Sequence, residues 1–230
     1  LGDYEQALFL AIAEANSHDR PEDREQKETL RAHWGDWQAC KDRLDRSHRR
    51  SIVTYLVDHP QGFKKAVALI RKDLRGIFVA AFQAKLWNEV VSRRLVSMLP
   101  PGGYSTLQSV AGEWALPMQI PDRDALAARR VPLPSGRRTD WPSDIRPLLE
   151  EVLSELGMQL HQLRFSYPRD VFFARGLRDM LLIPQHVVCE LSDYEMSKTP
   201  DGRKKLQLNF QLQPGQYATM LVKGISRPLA

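Results

Sequence analysis

The sequence predicts an α+β fold in which helices come first and a small antiparallel β meander comes last. Two observations carry that prediction. Between positions 3 and 99 apolar residues recur at three- and four-residue steps, the spacing of one helix face. Beyond position 180 the pattern changes, and KLQLNFQL (residues 205–212) alternates polar and apolar without a fault, as a half-buried strand does.

Taken in order, Tyr4, Ala7, Leu8, Ala11, Ile12 and Ala15 share one face of a helix over residues 3–15. The polar stretch NSHDRPEDREQKE carries Pro21 and reads as a loop leading into a charged helix over 24–33. Two more helices are predicted over 36–44 and 48–58, the latter stopped by the His59-Pro60 step, because the residue before a proline disfavours the helical region. A short helical piece over 62–70 follows. The strongest signal lies in 73–99, where Leu74, Ile77, Phe78, Ala81, Phe82, Leu86, Val90 and Leu95 trace one broad apolar stripe. At ~1.5 Å per residue such a helix is ~37 Å long, the width of a domain. PPGG at 100–103 ends it.

Residues 104–142 are rich in Pro, Gly and Arg and read as an irregular connection with one short helix. In the helix predicted through DIRPLLEEVLSELG, Ser143 is the expected cap, Asp144 sits in the first turn and Gly157 marks the end. Residues 180–191 (MLLIPQHVVCEL) are dense in β-favouring side chains, and SKTPDGRKK offers an Asp201-Gly202 turn. YATMLVKGI (217–225) reads as a third strand, joined to the second through Pro214-Gly215, a pair suited to the centre of a type II turn.

With 230 residues, 43% hydrophobic and 27% charged, the chain has the composition of an ordinary globular protein and the length to bury a core. A net charge of +5 suits a polyanionic partner such as nucleic acid, and also basic proteins that have none. Cys40 and Cys189 are far apart and form neither a disulfide framework nor a zinc spacing, so a reducing compartment, the cytoplasm, is expected. No apolar run approaches the ~20 residues that span a bilayer, and no leader is seen. The six histidines show no metal-ligand spacing, and no G-x-G-x-x-G, Walker loop or G-x-S-x-G elbow occurs. Metal, nucleotide-cofactor and serine-hydrolase chemistry thus have no support. Arg43-Leu44-Asp45 resembles the R-L-D that houses the aspartate of several pseudouridine synthase families, but within KDRLDRSHRR it reads foremost as a solvated charge run.

Three segments together resemble one family. FVAAFQAKLWNEVVSRRL (78–95), with Trp87-Asn88 and a closing arginine, is similar to a helix of the TruD-type tRNA pseudouridine synthases. RGLRDMLLIPQHVVCEL (175–191) is similar to the family's basic step into a leucine-rich strand. LNFQLQPGQYATMLVKGI (208–225) is similar to its C-terminal signature, a strand, a Pro-Gly turn and an aromatic-Ala-Thr. The resemblance implies a cofactor-free enzyme that isomerises a uridine in the D arm of transfer RNA. It implies a helical insertion domain over 1–180 and, over 181–230, the end of the pseudouridine synthase catalytic sheet, with the boundary between 160 and 190.

The same resemblance makes Tyr217 the residue that contacts the target uridine. Asn88, Arg93, Arg94, Arg175, Arg178 and Lys223 become the candidates for gripping RNA. Trp87 and Asn88 read otherwise as packing on a long apolar helix, the arginines as solvated surface and Tyr217 as a core tyrosine. The family's G-x-K-D-K-x-A-x-T-x-Q segment, which holds its nucleophilic aspartate, does not occur in these residues. No catalytic residue is therefore assigned. The chain is expected to be the tail of a longer protein, with the catalytic segment upstream and no activity alone. The rival expectation is a non-catalytic helical module that binds RNA or protein.

Overall fold

The computed structural model describes residues 2–109, 111–118, 120, 122–193 and 204–226. They form two compact units, Leu1–Val79 with Phe165–Phe172, and Ala80–Arg164 with Phe173–Ala230. Helices, then helices mixed with small antiparallel sheets, make the class α+β, as predicted.

The first unit is built from α1 (Tyr4–Ile12), α2 (Pro21–Ala32), α3 (Trp37–Arg43), α4 (His48–Asp58), α5 (Phe63–Leu69) and the opening turns of α6 (Lys72–Met98). Asp3, Asp36 and Ser47 cap α1, α3 and α4, each side chain accepting a backbone N–H that the first turn leaves unpaired. Pro21 is the first residue of α2, not part of the loop before it. Its missing N–H costs nothing at that position and its fixed φ suits a helix start. The core gathers Leu8, Ile12, Leu30, Trp37, Ile52 and Leu56, with Phe9, Trp34, Trp37 and Phe63 meeting edge to face in series. Within this unit Arg75 donates to the carbonyl of Ala68 and pairs with Asp170 at 2.5 Å, tying the 165–172 segment to α6.

Cys40 belongs to this core, its thiol donating to the carbonyl of His33 at 3.2 Å. Burial, with Asp36 nearby, pushes the thiol up to about 11, so little thiolate exists at neutral pH. Cys189 is exposed. Iodoacetamide at pH 7.5 is expected to modify Cys189 in the folded chain and both cysteines in urea. Mass spectrometry reads the count, and fast native labelling of Cys40 would refute the burial argument.

The second unit takes the remainder of α6 and adds β1 (Tyr104–Ser109), β2 (Gly112–Pro117), α7 (Arg123–Ala127), β3 (Arg130–Pro132), α8 (Arg146–Glu155), β4 (Leu177–Asp179), β5 (Gln185–Asp193), β6 (Lys204–Gln211) and α9 (Ala218–Ile225). Its strands pair antiparallel as β1–β2, β3–β4 and β5–β6. Leu86, Val90, Val131, Ile145, Leu149, Leu153 and Leu163 are its most buried apolar residues. α8 ends in a Schellman motif, with Gly157 at φ 65°, its N–H on Ser154 and that of Met158 on Leu153.

Four sequence expectations are corrected here. Residues 104–142 are not irregular: they hold the β1–β2 hairpin, whose register places Ser109 opposite Gly112, and then α7 and β3. Ser143 does not cap α8. The helix begins after Ile145, once the N–H groups of Ile145 and Arg146 have both bonded to the Pro142 carbonyl. The strand expected over 180–191 starts only at Gln185 and bulges before Val188, where His186 takes φ 50°. Most consequentially, 217–225 is helix α9 and not a strand, so β5 and β6 form a two-stranded ribbon instead of a three-stranded meander. The Pro214-Gly215 turn itself is present: the N–H of Gln216 bonds to Gln213 at 3.1 Å and Gly215 has φ 88°, as a type II turn requires. The Asp201-Gly202 turn lies outside the described residues.

Candidate functional site

In the second unit α6, β2, β4 and α9 line a groove of about 510 Å³. One wall is α6, presenting Trp87, Asn88, Val91 and Leu95 at helical spacing. Ser92 on the same helix accepts the Ala115 N–H at 2.7 Å, so the hairpin that carries Trp114 is tied to it. α9 lines the groove as well, with Met220, Leu221, Gly224 and Ile225 at four-residue spacing. That stripe explains why a segment rich in β-favouring residues is helical.

Tyr217 stands at the N-cap of α9 and is 58% exposed. It is not a core tyrosine. The Arg178 guanidinium lies 5.8 Å from the centre of its ring and 5.2 Å from that of Trp87. Trp87 is only 6% exposed, and its indole N–H donates to the Val131 carbonyl at 3.2 Å. Gln216 donates to Asp179 at 3.3 Å, which fastens the turn before Tyr217 to β4.

The structure brings Tyr217, expected to contact the uridine, together at the groove with Asn88 and Arg178 of the expected RNA-gripping residues. Arg175 and Lys223 are exposed. Arg93 and Arg94 face carboxylates instead. Arg93 meets Glu89 at 3.2 Å, Glu151 at 2.9 Å and Glu155 at 2.6 Å, while Arg94 lies 2.9 Å from Asp144, which Arg129 also pairs. In the Arg43-Leu44-Asp45 tripeptide Leu44 is buried in the first unit and its two charged neighbours are exposed, the arrangement of a solvated charge run. Trp114 and Gln216 are groove residues that sequence reasoning missed. Trp114 was hidden in a hairpin without an Asn-Gly signal, and Gln216 had no motif of its own. Among the described residues no group of three His, Cys, Asp or Glu is placed to hold a metal, and no helix is long and apolar enough to cross a membrane.

The Arg93 guanidinium, bonded to Glu155, holds that carboxyl below its usual 4.5. A carboxyl depressed by folding adds stability above its unfolded range and loses it as pH falls through the folded value. Glu155→Gln is accordingly expected to lower Tm slightly at pH 7, with the difference closing below about pH 4 in calorimetry. A difference that persists at pH 3 would assign it to packing.

Comparison with known proteins agrees with the sequence resemblance. Residues 1–119 match the family model described as tRNA pseudouridine synthase D (TruD). The chain is 22% identical over 228 residues to the Probable tRNA pseudouridine synthase D 2 of Methanocaldococcus jannaschii, covering 96% of this chain and 53% of that protein. It is 26% identical over 226 residues to the Probable tRNA pseudouridine synthase D of Methanopyrus kandleri, covering 97% of this chain and 50% of that protein. A solved TruD structure from Methanosarcina mazei superimposes with a TM-score of 0.68 at 20% identity, over 96% of this chain and 54% of that one. The chain thus spans about half the length of the curated relatives it matches. With a family model matched over more than half its length, the chain belongs to the tRNA pseudouridine synthase D (TruD) family.

Proposed function

We propose that this chain supplies the substrate-gripping part of a tRNA pseudouridine synthase that isomerises a uridine in the D arm of transfer RNA. The observation that carries the reading is Tyr217: an exposed ring, rooted on a buried one through Arg178, at the rim of a groove. A phenol face so placed suits a flipped base, and such stacking is typically worth ~1–3 kcal/mol. Among the expected RNA-gripping cations, Arg175 and Lys223 are exposed and suit the RNA backbone. Arg93 and Arg94 are set aside because a guanidinium already facing carboxylates gains less from a phosphate.

In this reading residues 1–180 are the insertion domain and 181–230 return to the catalytic fold. The aspartate that attacks the nucleoside comes from a segment outside these 230 residues, the chain does not isomerise uridine alone, and no cofactor takes part. When the chain is joined to an aspartate-bearing TruD segment, Tyr217→Ala is expected to cut isomerisation ~5- to 150-fold, the span of one lost base stack. Pseudouridine formation in a transfer RNA transcript measures it. Unchanged turnover would reject the role of Tyr217, whereas RNA binding with no pseudouridine formed by the joined protein would favour the non-catalytic binding module.

A further inference from the structure

We propose that Arg178 is a positioning residue that acts through Tyr217, holding the phenol ring in the orientation a base needs and not itself contacting phosphate. This rests on the reading of Tyr217 as the stacking face. An exposed tyrosine at a helix cap is free to turn about its Cα–Cβ bond unless something holds it, and its freedom is lost when a base stacks. Tyr217 has no side-chain capping hydrogen bond, and the Arg178 guanidinium lies over its ring. Arg178 is well fixed to serve as that hold. It pairs across the β3–β4 ladder with Val131, the residue whose carbonyl also receives the Trp87 indole N–H. The same stretch of β3 backbone thereby anchors both the Trp87 indole and the strand that carries Arg178.

The neighbouring residue does related work. Asp179 receives Gln216, the residue before Tyr217, and pairs with Arg130 at 3.3 Å. Two consecutive residues of β4 thus grip two consecutive residues at the entry to α9. Because Asp179 is engaged with Arg130, it does not draw the Arg178 guanidinium off the rings. A planar, permanently charged guanidinium can lie flat between two aromatic faces, which a lysine ammonium does only in part.

The test has two arms. In the first, the 230-residue chain is labelled with 3-fluorotyrosine, and the Tyr217 fluorine resonance is identified by its loss in Tyr217→Phe. Arg178→Met is expected to shift and broaden that line alone, and Arg178→Lys to restore it in part. A Tyr217 line that does not move, or movement of all tyrosine lines together, overturns the proposal. In the second arm, binding of a uridine-containing single-stranded RNA is followed by fluorescence anisotropy. Arg178→Met is expected to weaken binding about two- to five-fold, to have no further effect in a Tyr217→Ala background, and to leave the salt dependence unchanged. Losses that multiply, or a salt slope reduced by ~0.7, would make Arg178 a phosphate ligand and overturn it. If Tyr217→Ala alone leaves binding intact, the stacking role of Tyr217 falls, while the fluorine arm still decides whether Arg178 positions the ring.

Discussion

Leu56→Ala is expected to destabilise the first unit by about 2–5 kcal/mol, the range for a leucine truncated in a closed core. Leu56 is 0% exposed and packed among Leu8, Leu30, Ile52 and Val53. Its removal forfeits the transfer free energy of the lost methyl groups and leaves a void that neighbours on several helices cannot all collapse into. Leu10, 55% exposed on α1, provides the contrast, and Leu10→Ala should change stability by about 0.5 kcal/mol or less. Urea unfolding of both variants reports the difference. Equal losses would show that the burial of Leu56 is not what holds the helices together.

Gln83→Leu should cost the second unit about 2–4 kcal/mol although it exchanges a polar residue for an apolar one of similar size. Gln83 is 4% exposed on α6. Its amide donates to the carbonyls of Pro134 at 2.7 Å and Ala174 at 2.8 Å, and its oxygen accepts the Ala174 N–H at 3.3 Å. Two loops far apart in sequence are thereby satisfied by one side chain. Leucine fills the space but leaves those backbone groups without partners, and an unpaired buried polar group costs its full desolvation. Urea unfolding measures this loss too, and a change under about 0.5 kcal/mol would mean that water reaches both loops.

The helices of the first unit were legible because each writes its own period. The helix expected over 48–58 has the bounds that His48–Asp58 shows, since its proline stop is a local signal. α9 was not legible, because Tyr, Thr, Val and Ile favour strands locally while the stripe of Met220, Leu221 and Ile225 gains meaning only when a groove exists to receive it. The β1–β2 hairpin escaped notice because its connection lacks the usual turn residues. At the site, Tyr217 could be named from its motif, but not the guanidinium beneath it, since the juxtaposition with Arg178 is set by long-range packing. The same limit hid the acids facing Arg93, for Glu151 and Glu155 lie on another helix, α8.

The ribbon of β5 and β6 has a consequence in the time domain. Among the described residues these strands pair only with each other, and Val187, Val188 and Leu206 stand about half exposed on them. A two-stranded ribbon that buries so little can open while the helices stay folded, because few apolar contacts are broken when it does. Its backbone amides therefore report the free energy of a local opening, and their exchange with solvent need not wait for either unit to unfold.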